Sequence, residues 1–346
     1  MPSSLKSLVA RHEMVLLIVI VLEILLFNSL GQRFLTAGNI SNTFRHSVEI
    51  GLLALAMTPV ILTGGIDLSV GSMIGLCSVL FGMMVNTLGL DPWLAGLAAI
   101  ACGAFGGGLN AVLITRLNLP PLIVTLGTFS LFRGLAEAFT KGSVAYSRFS
   151  ASFLALGNSD TAGIPTQIWV FLAVAAGIWL LVHQTTFGRS FRAIGFSAEG
   201  ARYAGIPVAR NTSLAYIIAG AVAGLAAVIL VARLGEARAN AGIGYELLAI
   251  TAVVLGGVSI FGGSGTVAGI LLGWVSLAIL NNGLTRISEY RILDHPIASV
   301  ARELSGMLTG FLLIAALAFG TAMKTLAVRR SLKQSLAAIP SNPPNS

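Results

Sequence analysis

Ser213-Leu-Ala-Tyr-Ile-Ile-Ala-Gly-Ala-Val-Ala-Gly-Leu-Ala-Ala-Val-Ile-Leu-Val-Ala232 decides the fold of this chain. The run carries no charge and has the length of about 20 residues that a helix needs to cross a bilayer core. Nine more apolar runs read the same way: about 14–30, 47–63, 68–88, 93–115, 122–140, 167–183, 247–261, 265–283 and 297–320. Several are short, which predicts tilted helices or half-helices buried within the protein. The expectation is an all-α polytopic membrane protein of about ten transmembrane helices, some short or broken. Composition agrees. Of 346 residues, 55% are hydrophobic and only 10% charged, against roughly 25% charged in soluble domains. This excludes an ordinary soluble enzyme, a disordered chain and a disulfide scaffold. Cys77 and Cys102 lie in apolar runs and read as small buried hydrophobes.

The few charges orient the spans. With the N-terminus in the cytoplasm, the inside segments hold eleven basic residues and the outside segments eight. Four arginines fall within 189–210 and four basic residues follow the last span. This predicts both termini inside. The first run follows Lys6 and Arg11 and lacks a small-residue cleavage site, so it reads as a retained span. The expected organisation is a cytoplasmic N-terminus over 1–13, a transmembrane domain over 14–323 with a cytoplasmic loop at about 186–212, and a basic, partly disordered tail over 324–346. The net charge of +8 reads as positive-inside bias and lipid contact, not nucleic-acid binding. Trp93 and Trp169 fall at outer span ends, where interfacial rings belong.

Glycine, 40 of 346 residues, has two predicted uses. Pairs four apart let helices approach closely in lipid. They are Gly71/Gly75, Gly103/Gly107, Gly220/Gly224 and Gly306/Gly310, with a ladder at Gly265, Gly269 and Gly273. Two richer interruptions, Gly64-Gly65-Ile66-Asp67-Leu68-Ser69-Val70-Gly71 and Gly256-Gly257 through Gly265, break apolar runs too briefly for ordinary loops. Paired breaks of this kind point toward a transport pathway. Candidates for the pathway or for helix breaking are Gly65, Asp67, Ser69, Gly71, Arg133, Glu137, Asn110, Thr125, Gly256 and Gly257. Asn86 and Asn281 are further polar candidates. Asp67 also suits a cap for the helix that follows it. Arg133 and Glu137, four apart, suit an intrahelical pair, with a role in substrate passage as the other reading.

The loop near 186–212 contains a punctuated short helix. Ser197 suits its N-cap, Glu199 its first turn, Arg202 its last turn and Gly205 the position after its C-cap, before Pro207 stops it. Such a helix is marginal alone and needs a partner surface. Small residues at Gly200 and Ala201 let that surface come close.

Glu199-Gly200-Ala201 followed by Gly205 resembles the Glu-Ala-Ala-x-x-x-Gly loop of permease subunits of bacterial ATP-binding-cassette importers, with Gly200 in place of the first Ala. Gly65-Ile-Asp67-Leu-Ser-Val-Gly71-Ser, Thr125-Leu-Gly127 through Arg133-Gly134, and Gly244-Tyr-Glu246 through Gly256-Gly257 are similar to the ribose/xylose/arabinose-type sugar permeases. Ser72 to Met83 resembles the autoinducer-2 importer permeases of that branch. The resemblance implies a multi-pass protein of the bacterial inner membrane that pairs with a second permease, identical or homologous. It implies a separate cytoplasmic ATPase that uses the ATP, and a periplasmic or tethered sugar-binding protein. Ser197, Glu199, Gly200, Ala201, Arg202 and Gly205 would then couple to the ATPase. The chain has no G-x-x-x-x-G-K-[ST] loop, so no cofactor and no enzyme activity of its own are expected. Two rivals stay open: an ion-driven secondary transporter using Asp67, Glu137 or Glu303, and a permease of the related amino-acid branch.

Overall fold

The computed structural model describes residues 3–30, 34–142 and 144–288, with 307, 310, 311 and 314 beyond them. Thirteen helices and one two-stranded hairpin make up the described residues. The helices are α1 (Ser3–Leu30), α2 (Ala37–Arg45), α3 (Val48–Leu62), α4 (Val70–Asn86), α5 (Pro92–Thr115), α6 (Pro121–Phe139), α7 (Ala151–Asn158), α8 (Thr166–Gln184), α9 (Thr186–Phe196), α10 (Ala198–Tyr203), α11 (Val208–Leu234), α12 (Tyr245–Leu255) and α13 (Val267–Ser288). Strands β1 (Asp160–Thr161) and β2 (Ile164–Pro165) pair antiparallel between α7 and α8.

A helix occupies each of the first nine apolar runs; the tenth, 297–320, lies outside the continuously described residues. Among the described residues, five helices are long and apolar enough to cross a membrane: α5, α6, α8, α11 and α13. The pair α2–α3, bent by 47°, makes a sixth candidate as one broken span. Helices α4 and α12 are apolar but have only 17 and 11 residues. At 1.5 Å per residue they reach about 26 and 16 Å, short of the roughly 30 Å core. The chain is therefore a polytopic helical membrane protein in which some apolar helices are shorter than a full span.

Helices α3 and α11 form the centre. Nearly all of α3 is buried, from Val48 through Leu62, and α11 packs on α5, α3 and α4. The α5–α11 seam is built from the expected glycine pairs. A Cβ on Gly103 would fall on Gly220 O, and one on Gly220 would fall on Gly103 O; Gly107 meets Tyr216 O in the same way. Backbones touch directly, which is the close approach that small residues permit in lipid. On α13, Gly269 and Gly273 receive the end of α12 at Gly256 and Ala252. The pair Gly71/Gly75 receives side chains and a loop instead. Gly306 lies outside the described residues, and a Cβ on Gly310 would meet nothing within 4 Å among them.

Helices run between two ends. At one lie α7, the hairpin and the connection after α11, and Ala237 of that connection bridges to Tyr146 in the segment before α7. There Trp169 Nε1 donates to Thr161 O, and Trp93 stands edge-on to Phe153. At the other end lie α9 and α10. The punctuation of the sequence predicts one short helix in this connection. There are two, because Ser197 breaks the path in extended conformation and serves as C-cap of α9 and N-cap of α10. The buried face of α9, Gly188, Phe191 and Ile194, carries a helical period that the charges around it mask.

Candidate functional site: the glycine breaks and the capped loop

The two glycine interruptions meet. Gly263 N–H donates to Leu62 O at 3.0 Å, and a Cβ on Gly262 would lie 2.8 Å from both Gly64 N and Gly195 Cα. Gly195 is in the last turn of α9, and a Cβ there would collide with Leu62 O. Three backbones from distant parts of the chain thus cross with no side chain between them. The other end of the second interruption is a helix stop: Gly256 is the C-cap of α12, and Gly257 takes a left-handed conformation after it.

Beyond the first break lies a buried hydrogen-bonded chain. Thr128 Oγ1 donates to Asn110 Oδ1 at 2.7 Å, and Asn110 Nδ2 donates to Ser69 Oγ at 2.9 Å. Ser69 Oγ and Ser69 N–H both donate to Asp67 Oδ1, at 2.6 and 2.9 Å. Thr125 Oγ1 donates to Ile66 O at 3.1 Å. These contacts tie the break to α5 and α6, and all four side chains from Asp67 to Thr128 are buried. Asp67 is not the helix cap. Ser69 holds the N-cap position of α4, and Asp67 turns the chain two residues earlier, because its carboxylate reaches the amide of Ser69. Beside this chain, the Tyr216 hydroxyl is buried against Gly65 and has no partner among the described residues.

Arg133 does not pair with Glu137. Its Nη1 donates to Ala239 O and, at 3.2 Å, to Ala241 O. The guanidinium passes Gly75, where a Cβ would lie 2.6 Å from Nη1, and Glu137 faces outward. Glu246, in the first turn of α12, fills the space at Gly71. Arg133 therefore pins the α11–α12 connection against α4, through the gap left by missing glycine side chains. Asn86, a further polar candidate, accepts Arg148 N–H at 3.0 Å and anchors the segment before α7.

Sequence spacing does not reveal a second cluster. Arg233 Nε donates to Glu49 Oε1 at 2.8 Å, and Arg233 Nη1 lies 2.9 Å from His46 Nδ1. Glu49 is fully buried on α3. The residues are 184 apart, so no local pattern joins them; the signal available was an acid at the start of one apolar run and an arginine at the end of another.

At the opposite end, α10 is closed at both termini. Gly200 N–H donates to Ser197 Oγ at 3.0 Å. Gly205 N–H donates to Arg202 O and Ile206 N–H to Ala201 O, the paired bonds of a Schellman stop, with Gly205 at φ +77°. Ala201 is buried against the body of the protein, while Glu199, Gly200 and Arg202 are exposed. Phe196 and Tyr203 flank the helix at 90% and 85% exposure, and no spacing in the sequence singles them out. Arg192, on α9, donates to Val182 O at 2.9 Å; burial lowers its pKa, yet an arginine stays charged in proteins.

The chain is thus a helical membrane protein whose glycine breaks meet at one end, near a capped and exposed short helix. Residues 39–317 match the family described as branched-chain amino acid transport system / permease component, and the chain belongs to that family. It is a permease component, not an enzyme in its own right, and a multi-pass membrane protein. Similar proteins include the autoinducer 2 import system permease protein LsrD of Photorhabdus luminescens, 37% identical over 309 residues that span 88% of this chain and 89% of that protein. The proteins of that name from Yersinia enterocolitica and Salmonella paratyphi B are each 36% identical over 307 residues, spanning 87% of this chain and 89% of theirs.

Proposed function

We propose that this chain is one of two permease subunits of an ATP-driven, binding-protein-dependent importer of a monosaccharide or sugar-like small molecule of the autoinducer 2 kind. The observation that carries this reading is the end-to-end likeness to autoinducer 2 permeases, at 36–37% identity over nearly nine-tenths of the chain. In this reading the chain sits in the bacterial inner membrane with both termini inside, and its ten apolar segments include broken ones. A separate cytoplasmic ATPase uses the ATP; a periplasmic or tethered binding protein delivers the substrate at the α7–hairpin end.

The exposed helix α10 is the ATPase contact. A six-residue helix is too short to be stable alone, and its two caps hold it in shape for a partner. Phe196 and Tyr203 supply the aromatic anchors such contacts favour. Closure of the ATPases would push α10, and α9 would carry the movement to the glycine junction at Gly195. The candidates Gly65, Asp67, Ser69, Gly71, Asn110, Thr125, Gly256 and Gly257 then serve as the breaks and supports that let the spans shift.

The test is uptake of autoinducer 2 by proteoliposomes carrying this chain with its ATPase, partner permease and binding protein. Uptake should require ATP and stop with vanadate, while a protonophore leaves it intact; the reverse pattern defeats the reading. Glu199→Arg should depress uptake and substrate-stimulated ATP hydrolysis together. If both stay at full rate, α10 is not the coupling element. The family description favours a second reading, a branched-chain amino acid as cargo, for which leucine uptake is the measurement.

A further inference from the structure

A cavity of about 370 Å³ opens between the α2–α3 bend and helices α12 and α13. It falls within the usual size range of small-molecule sites. Its polar wall is Thr43, His46, Asn281 and Asn282; Leu248 and Trp274 form an apolar wall.

The polar wall is held rigid from behind. Asn282 and Asn39 exchange amide hydrogen bonds at 2.9 and 3.2 Å, and Thr43 Oγ1 donates to Asn39 O at 2.8 Å. That leaves the Thr43 oxygen as an acceptor. His46 is fixed in tautomer. Arg233 only donates, so His46 Nδ1 at 2.9 Å must accept, and the ring proton sits on Nε2. Trp274 is locked by its bond to Ser47 O at 2.8 Å and by Phe171, 4.3 Å away between ring centroids. Among the described residues, no side chain lining the cavity carries a fixed charge. The ions behind the walls are engaged: Arg286 Nε donates to Asn39 Oδ1 at 2.9 Å, and Arg233 and Glu49 pair at 2.8 Å.

We propose that this cavity is a binding site for a small, uncharged, polyhydroxylated molecule. Amides, a hydroxyl and a neutral imidazole offer both donors and acceptors, which match hydroxyl groups, while the apolar wall matches a carbon skeleton. The amide of Asn281 and the Nε2 proton of His46 suit water or a polar ligand better than lipid. A zwitterionic amino acid would find no counter-ion among the lining side chains for either of its charges, which is strongly unfavourable. The inference deepens the proposed function, since it rests on the chain being an import permease, and it assigns discrimination between sugar and amino acid to the permease itself.

The experiment uses the assembled transporter with Asn281→Cys in a Cys77→Ala/Cys102→Ala background, labelled by a charged, water-soluble methanethiosulfonate. Autoinducer 2, D-ribose and L-leucine serve as protecting probes. Labelling should occur, and a neutral polyol at ten times its dissociation constant should slow it about tenfold, while leucine should not. Absence of labelling in the assembled transporter means that protein fills the cavity and overturns the proposal. Labelling that neither polyol slows, or that leucine slows, overturns it as well. Failure of autoinducer 2 uptake with protection by ribose removes the proposed cargo and leaves the site standing. If Asn281→Cys fails to assemble, Leu248→Cys on the facing wall gives the same readout without removing a polar group.

Discussion

Glycines of this chain fall into two physical classes that look alike in sequence. Gly103, Gly107 and Gly220 abut backbone atoms across the α5–α11 seam, whereas a methyl group added at Gly127 or Gly134 on α6 would meet nothing within 4 Å among the described residues. Gly103→Leu should therefore lower the midpoint of thermal unfolding in detergent sharply, since overpacking costs about 1–3 kcal/mol even where side chains can give way. Gly127→Ala should leave it unchanged or raise it, because alanine favours helix over glycine by up to about 1 kcal/mol. The Glu49–Arg233 pair invites a second residue-level comparison. Arg233→Met leaves a fully buried carboxylate without its partner, a loss on the order of 3–5 kcal/mol. The double variant Arg233→Met/Glu49→Gln should recover much of that. If thermal unfolding shows the double variant to be less stable than the single one, the pair is not the main reason for the charge at Glu49. Arg133 shows the limit of reading residues by spacing. Four residues from Glu137, it has a partner by the helix rule, but the carbonyls of Ala239 and Ala241 lie within its reach and Glu137 points away.

Among the elements, α10 depends on its ends. Gly205→Val would force a β-branched residue to φ +77°, at roughly 1–2 kcal/mol, a large fraction of what holds a six-residue helix. Coupled ATP hydrolysis should fall while assembly of the spans, followed by gel filtration, stays normal. Unchanged coupling in that variant would move the site of contact elsewhere. The element scale is also where the sequence was most legible. A run such as 47–63 needs only a count of apolar residues, and α3 fills 48–62. Ser197, Gly205 and Pro207 punctuate α10 through local chemistry, and its caps are where that chemistry puts them. Helix α9 escaped because its neighbours Arg189 and Arg192 read as loop charge, while the pattern that counts is the buried stripe Gly188, Phe191 and Ile194. The contacts of the candidate site were least legible. The meeting of Gly64, Gly195 and Gly262 joins segments far apart in the chain, and nothing in a one-dimensional pattern reports it.

For the whole molecule, the two ends make opposite predictions about sidedness. A reporter active only in the cytoplasm should work when inserted after Tyr203, and one active only outside should work within the turn of the hairpin at Ala162–Gly163. The opposite result would reverse the orientation and with it the sides assigned to ATPase and binding protein. Partial-length helices also shape what the bundle can do. Helix α4 starts inside the protein at the buried Ser69, and Arg133 and Glu246 lie against its glycines. Irregular backbone at membrane depth is tolerated where protein or water satisfies it. Here the Asp67–Ser69–Asn110–Thr128 chain does so beside the first break.

The glycine junction limits how this protein can be repaired once damaged. In an ordinary core, an enlarged residue is rescued by trimming the side chain it strikes. Opposite Gly195 lie Leu62 O, Gly263 N and the carbonyl carbon of Gly262, none of which can be made smaller. A second-site suppressor of Gly195→Ala therefore has to act by shifting a whole helix, and a screen for such suppressors would map the directions in which the bundle yields.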